Sequence, residues 1–366
     1  MALPMRVALS TITDLEVLLE AMCNGAPQPP FDYGALSSYE ALPVVARFLK
    51  RPMQMDRVEL IEGVFKRFLK AAFRPGLGGA EARFVAELSR TIGFVYKFKP
   101  YGVKCATALG YAIFFLWDGM GFSFQRHRTR KTELFHMLKT LDRGQIYLST
   151  SREWDAVYER DAFDRWLSGT PDARYAAYAR RPEPGDVYLV TELDTVHSVL
   201  GCVLEEYATV STDMVDRLHD QNTRGEVPIV ASATLDQWLA ELPCPVPGSC
   251  WKSLSAPPVT LPARVQDGVR HIVLADTSEF LAERFDIESG RTLTIAADAE
   301  RARSLFCLGG DCRVMLRDSS ESGDVAPLRL AAGQVILIGP GVRIGVQAAV
   351  ATSLSSHTIR PELALD

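Results

Sequence analysis

The stretch Phe122-Ser-Phe-Gln-Arg-His127-Arg-Thr-Arg-Lys131-Thr-Glu133-Leu-Phe-His136 gathers side chains able to do chemistry. With His197, His127 and Glu133 supply two imidazoles and one carboxylate. That donor set suits Fe(II), Mn(II), Zn(II), Co(II) or Ni(II). A divalent ion with open positions polarises neighbouring hydroxyl and carbonyl oxygens. Lys131 precedes Glu133 by two residues. An ammonium beside such an ion gives up its proton more readily, so Lys131 is the candidate acid–base catalyst. The basic run from Arg126 to Lys131 is either a solvated face or a grip on a substrate phosphate or carboxylate.

Strands must position these groups. Side chains alternate faces with period two. A regular strand would put His127, Thr129, Lys131 and Glu133 on one face and Arg126, Arg128 and Arg130 on the other, unless a hairpin intervenes. Glu133 opens an otherwise apolar run of Leu134, Phe135, Met137 and Leu138, and a charge entering a core needs a partner or a metal. Pro184-Gly185-Asp186 makes a tight turn, a strand follows, and His197 lies beyond it. His136 has the opposite parity from Glu133 and reads as structural. His219 is expected on a polar helix, facing solvent. His271 and His357 lie in a later β region that lacks a Glu or a His pair at matching spacing, so that region is expected to hold no metal.

The His127…Glu133 segment and the Pro-Gly turn before His197 resemble the two metal-binding motifs of the cupin superfamily. The resemblance implies an antiparallel β-barrel and a ligand set of His127, Glu133 and His197. In the family motif two His residues stand two apart; here Thr129 occupies the second position. Three protein ligands and an open position would result. Glu205 to Asp220 resembles the segment after the barrel His in sugar isomerase-type cupins, such as phosphomannose isomerase and D-lyxose isomerase, where an Asp-rich helix follows. In D-lyxose isomerase a Lys at the spacing of Lys131 is implicated in proton transfer. The resemblance spans about 100 of the 366 residues and speaks for the fold more than for the substrate.

Three readings stay open. The first is a metal-dependent sugar or sugar-phosphate isomerase. The second is a non-haem Fe(II) oxygenase, whose sites share the two-His-one-carboxylate composition. The third is a catalytically silent cupin that binds a small ligand. The expected cofactor is one divalent metal ion (Fe, Zn, Mn or Ni), and the expected partner is a small-molecule substrate, with a homodimer compatible. Net charge of −5 and a pI near 5.8 give no footprint for nucleic acid. No apolar run approaches the roughly 20 residues that cross a bilayer, so no membrane partner and a cytoplasmic location are expected. Seven scattered cysteines suggest free thiols rather than a disulfide framework.

The expected fold class is α+β: a helical N-terminal domain followed by two cupin-like antiparallel barrels. Residues 1–95 carry three helix-start signals, Thr13 with Glu16, Ser37 with Glu40 and Asp56 with Glu59, and a fourth helix is expected over 80–92. Residues 96–225 form the metal-binding barrel. Residues 226–267, rich in proline, form a linker with one short helix near 235–242. Residues 268–366 form a second, degenerate barrel. Between the two metal motifs, residues 151–183 hold Trp154, Tyr158, Trp166, Tyr175 and Tyr178 among many charges. A segment of this length inside a compact domain is usually functional, and it is expected to cover the barrel mouth.

Overall fold

The computed structural model describes residues 7–27, 31–32, 36–49, 51, 55–72, 95–99, 101–106, 110–128, 131–191, 193–209, 215–220, 242, 249–252, 259–317 and 327–360. The helices expected over 80–92 and near 235–242 lie outside these residues, apart from Leu242.

Three helices open the chain: α1 (Ile12–Cys23), α2 (Ser38–Leu49) and α3 (Met55–Ala72). The capping box of α1 is Thr11 with Asp14, not Thr13 with Glu16. Thr11 has the extended backbone of an N-cap, and its hydroxyl accepts from the Asp14 amide. Asp56, read as a cap, falls inside the first turn of α3. Leu15, Leu19 and Met22 from α1, Leu42 and Val45 from α2, and Ile61, Phe65 and Phe68 from α3 form one apolar cluster. Leu337 and Ile359 from the far end of the chain join it, so the helices rest on the C-terminal β structure.

The remainder is mostly β. The first sheet contains β1 (Val95–Lys99), β2 (Gly102–Ala106), β3 (Tyr111–Leu116), β4 (Phe124–His127), β5 (Glu133–Thr150), β6 (Asp186–Val190), β7 (Thr195–Ala208), β8 (Val215–His219) and β9 (Cys250–Lys252). The path runs β9-β6-β5-β7-β3-β2-β1, and β4 joins β7 to β8. Pairing is antiparallel except between β9 and β6. Asp142-Arg143-Gly144 has the residue types of a tight turn but does not end a strand. β5 continues through it for 18 residues and bends there. At the bend the pairing with β7 is interrupted: residues 141–144 of β5 stand against Gly201 alone, between the pairs Thr140–Cys202 and Gln145–Leu200, and Gly201 takes φ +56°.

The second β region holds two further sheets. One is β10 (Ala263–Gln266), β11 (Val269–Asp276), β12 (Phe280–Ile287), β14 (Arg303–Gly309), β17 (Val335–Ile338) and β19 (Thr352–Ile359), in the order β10-β11-β12-β19-β14-β17. The other is β13 (Thr292–Ala296), β15 (Asp311–Arg317), β16 (Leu328–Ala331) and β18 (Arg343–Ala348), in the order β13-β18-β15-β16. Ile295, Leu305, Val314, Ile336, Val346 and Leu354 pack between these two sheets. The segment read as a linker contributes strands too: β9 and β10 lie in it and extend the sheets on either side.

Faces of the first sheet have distinct partners. Phe114, Phe135, Met137, Ile146, Leu148, Val199 and Leu204 form one apolar cluster on the face that also carries Glu133 and His197. On the opposite face, Tyr111, Leu134, Leu138, Val203 and Tyr207 pack against Ile272, Leu274, Phe280 and Phe306 of the second β region. Within this contact Glu205 is fully buried. Tyr111 Oη donates to its Oε1 at 2.6 Å, Tyr207 Oη does so at 3.0 Å, and His136 Nδ1 lies 2.6 Å from Oε2. The equally buried Arg284 reaches across from β12, with Nη1 4.0 Å from Oε2. His136 is thus structural, as its parity implied.

Candidate metal centre

β4, β5 and β7 bring His127, Glu133 and His197 together. His127 ends β4, Glu133 begins β5, and His197 sits near the start of β7 opposite Leu148 of β5 and Gln125 of β4. All three are buried. His127 Nε2 lies 3.3 Å and His197 Nε2 3.2 Å from Glu133 Oε2.

Backbone carbonyls set the ring tautomers. His127 Nδ1 is 3.2 Å from the Lys131 carbonyl, and His197 Nδ1 is 3.2 Å from that of Thr195. A carbonyl only accepts, so each Nδ1 donates, and each neutral ring turns the lone pair of Nε2 toward Glu133. Three acceptor atoms then face one another away from water. Glu133 Oε2 and His127 Nε2 have no hydrogen-bond partner among the described residues. Such a cluster is costly without a cation between its members, and one proton can bridge only two of the three. A tetrahedral ion with bonds of about 2.0–2.1 Å separates its donors by about 3.3 Å, which matches both distances. The residues therefore fit a divalent metal, and they form the one such His/Cys/Asp/Glu group among the described residues.

Lys131 completes the charge pattern. Its ammonium contacts Glu133 Oε1, leaving Oε2 to the imidazoles. Burial pushes the Glu133 carboxyl up, but the Lys131 ammonium on Oε1 outweighs it and, with the hydrogen bonds an imidazole gives whenever its Nε2 carries a proton, holds the group well below the usual carboxylate range. Thr132 and Thr209 exchange backbone and side-chain bonds that fasten this end of β5 to the end of β7.

Thr129 and Arg130 lie outside the described residues. Arg126 and Arg128 both bind Asp216 of β8, Arg126 at 3.3 Å, so this part of the basic run is an ion-paired face. Gln125 is not among the donors expected from the sequence. It shares a face with His127 by strand period, and its amide Nε2 lies 3.5 Å from His197 Nε2. Its signal in the sequence is a Gln-x-His pair on one strand, two residues apart.

Two expectations are corrected. His219 is not on a polar helix. It ends strand β8, is buried, and lies between Tyr158 Oη at 3.1 Å and Asp164 Oδ1 at 3.2 Å. The segment 151–183 does not cover the centre. It forms α4 (Ser151–Val157), α5 (Arg160–Leu167) and α6 (Ala173–Ala176). Trp154, Phe163 and Tyr175 pack on Phe124, Tyr147, Val196 and Leu200. Those residues alternate with Gln125, Ile146, His197 and Val199, so the helices cover the face of the sheet opposite the metal centre. Their aromatic content makes an apolar footing there, not a pocket wall.

No family model matches the chain, and no curated protein matches it. Solved structures do. Mannose 6-phosphate isomerase from Bacillus subtilis aligns with 68% of this chain and 74% of its own, at 14% identity and TM-score 0.45. Oxalate decarboxylase from Bacillus subtilis aligns with 73% of each chain, at 12% identity and TM-score 0.45. An RmlC-like cupin from Shewanella frigidimarina covers 27% of this chain and 84% of its own, at 16% identity and TM-score 0.23. The solved structures that the chain resembles thus include cupins, as its motifs implied. At these identities and scores the likeness is remote and carries nothing about substrate.

Proposed function

We propose that the chain is a metal-dependent enzyme acting on a small hydroxylated carbonyl compound, and that its reaction is an aldose–ketose isomerisation of a sugar or sugar phosphate. The organisation that goes with this reading is a bicupin: residues 1–95 as a helical unit, 96–225 as the metal-binding barrel, and 268–366 as a second barrel without metal. Supporting it is one observation above the others. Lys131 holds an ammonium on the far oxygen of the carboxylate whose near oxygen faces both imidazoles.

A bound divalent ion would supply Lewis acidity toward adjacent substrate oxygens. His127, Glu133 and His197 would hold it. Gln125 offers a fourth, neutral donor, since amide oxygen and nitrogen exchange places by a half-turn of the side chain. Ser123, whose hydroxyl is 3.0 Å from Gln125 Oε1, can accept from the amide nitrogen after that turn. Lys131 is the group placed to pass a proton to or from a substrate carbon or oxygen beside the carboxylate. Apolar neighbours such as Phe135, whose ring lies 5.9 Å from that of His197, keep bulk water from the site.

Two imidazoles and one carboxylate also make the donor set of non-haem iron oxygenases, so the test must separate the two. Protein purified without oxygen is analysed for metals and assayed for oxygen uptake and for aldose–ketose interconversion. Zinc, manganese or nickel with oxygen-independent interconversion supports the proposal. Iron with substrate-dependent oxygen uptake replaces it with the oxygenase, and protein that binds no metal overturns both.

A further inference from the structure

A second recess lies on the wall of the first sheet away from the metal centre. Its volume is about 390 Å³, within the range of small-ligand pockets. One side is the α5–α6 connection with Trp166. The other is the bend of β5 and the short strand Ala179–Arg180 that pairs with it. Arg143, Arg180, Arg181, Asp142 and Gln145 line it.

The charges here are held in distinct ways. Arg181 is anchored by Nη1 to the Asp142 carbonyl at 2.6 Å, a neutral partner that fixes the guanidinium without cancelling its charge. Arg143 Nη2 is likewise fixed at 2.9 Å to the Asp118 carbonyl, with the Asp118 carboxylate 3.4 Å from its Nε. Arg180 is exposed and its backbone pairs with Ile146, while its guanidinium makes no hydrogen bond or ion pair among the described residues. Guanidinium forks fixed in place match phosphate oxygens. Trp166 is half-buried by its contacts with Phe163 and Tyr175, so its indole is a rigid wall of the recess. Asp142 adds an acceptor suited to hydroxyl groups.

The geometry points to a binding site for a hydroxylated organic phosphate: phosphate on Arg180 and Arg181, hydroxyls toward Asp142 and Gln145, and a ring against Trp166. This site is separate from the metal centre. β5 carries both, with Glu133 on the face of the metal and Gln145 on the face of the recess. The assignment does not depend on the proposed reaction.

Isothermal titration calorimetry with ribose 5-phosphate, inorganic phosphate and free ribose tests it, on the full chain with 1,10-phenanthroline present to remove any metal. Ribose 5-phosphate is expected to bind more tightly than inorganic phosphate, and free ribose not to register. Arg180→Ala and Arg181→Ala should each weaken binding about tenfold, in line with a lost charge-assisted hydrogen bond. Thr170→Trp, which fills the recess from an exposed position and removes no charge, should abolish it. His127→Ala should leave it unchanged. No binding by the parent chain overturns the assignment. So does binding that survives both arginine variants and Thr170→Trp, or binding that is lost in His127→Ala.

Discussion

Replacing Glu205 probes what joins the first sheet to the second β region. The carboxylate is fully buried and accepts from Tyr111 and Tyr207, with His136 on its other oxygen and Arg284 4.0 Å away. Glu205→Ala leaves two buried phenols and one imidazole nitrogen without their acceptor, at about 1–3 kcal/mol for each group. It also leaves Arg284 with Asp286 as its remaining carboxylate. These losses overlap, and breaking a buried pair typically costs about 3–5 kcal/mol. A loss of about 4–5 kcal/mol is expected. Glu205→Gln keeps an oxygen for the two tyrosines and removes only the charge, so about 2 kcal/mol is expected. Two unit charges 4.0 Å apart attract by about 4 kcal/mol at an effective dielectric of about 20. Desolvation and Asp286's share of Arg284 reduce this, and the cycle of Glu205→Gln with Arg284→Met should report about 2 kcal/mol of coupling. The pH dependence has a definite sign. Burial raises the Glu205 carboxyl, but His136 and Arg284 lower it further, so its folded-state pKa lies below the unfolded one. Its contribution is full above the unfolded carboxylate value of about 4.3 and is lost as pH falls through the folded value. Urea unfolding at neutral pH and at a series of pH values below about 4.3 measures all of this. A loss below about 1 kcal/mol for Glu205→Ala would refute the reasoning, as would equal losses for Ala and Gln.

His127→Ala and His197→Ala should each strip most metal from the folded protein, measured by elemental analysis beside circular dichroism; full occupancy in both would remove the site assignment. Gln125→Ala should weaken metal affinity by about tenfold or more without emptying the site, read by chelator competition. Lys131→Met should lower turnover by about 100-fold or more while metal content holds; unchanged turnover would take the acid–base role from it. Trp154→Ala should cost about 3–5 kcal/mol of stability and leave turnover nearly intact, because α4 rests on the face away from the centre.

The three residues of the candidate centre were legible because each breaks a local pattern. Glu133 is a charge opening an apolar strand, His127 closes one strand, and His197 follows a Pro-Gly-Asp turn. Gln125 was not, although the same period of two carries it. An amide on a strand looks neutral to hydropathy, and only its place beside His197 gives it meaning. β12 was missed for a related reason. Its Glu283, Arg284 and Asp286 have the composition of a solvated run, yet all are buried, with partners from other strands: His271 and Arg303 for Glu283, Glu205 besides Asp286 for Arg284, Arg270 for Asp286. His219 misled in the same way. Val215-Asp-Arg-Leu-His219 is polar enough for an exposed helix, but pairing with β4 and the cover of Tyr158 and Phe163 bury its end. The bend in β5 carries the residues of a turn, because local chemistry cannot distinguish a chain reversal from a strand that curves around its neighbour.

The short connection between His127 and Glu133 acts as a ruler. Its Lys131 carbonyl holds the His127 ring, its Lys131 ammonium touches the Glu133 carboxylate, and Thr132 fastens its end to Thr209. Three separate alignments hang on one chain length. Adding a single residue would slide the carbonyl off the imidazole and free the ring to swap tautomers, even with every donor still encoded. Surface loops ordinarily tolerate such insertions; here Lys131 and Thr132 are each tied to the centre or to Thr209. Grafting the centre onto another scaffold would have to carry the spacer whole, since copying the three donors alone would transplant the letters without the spacing that makes them a word.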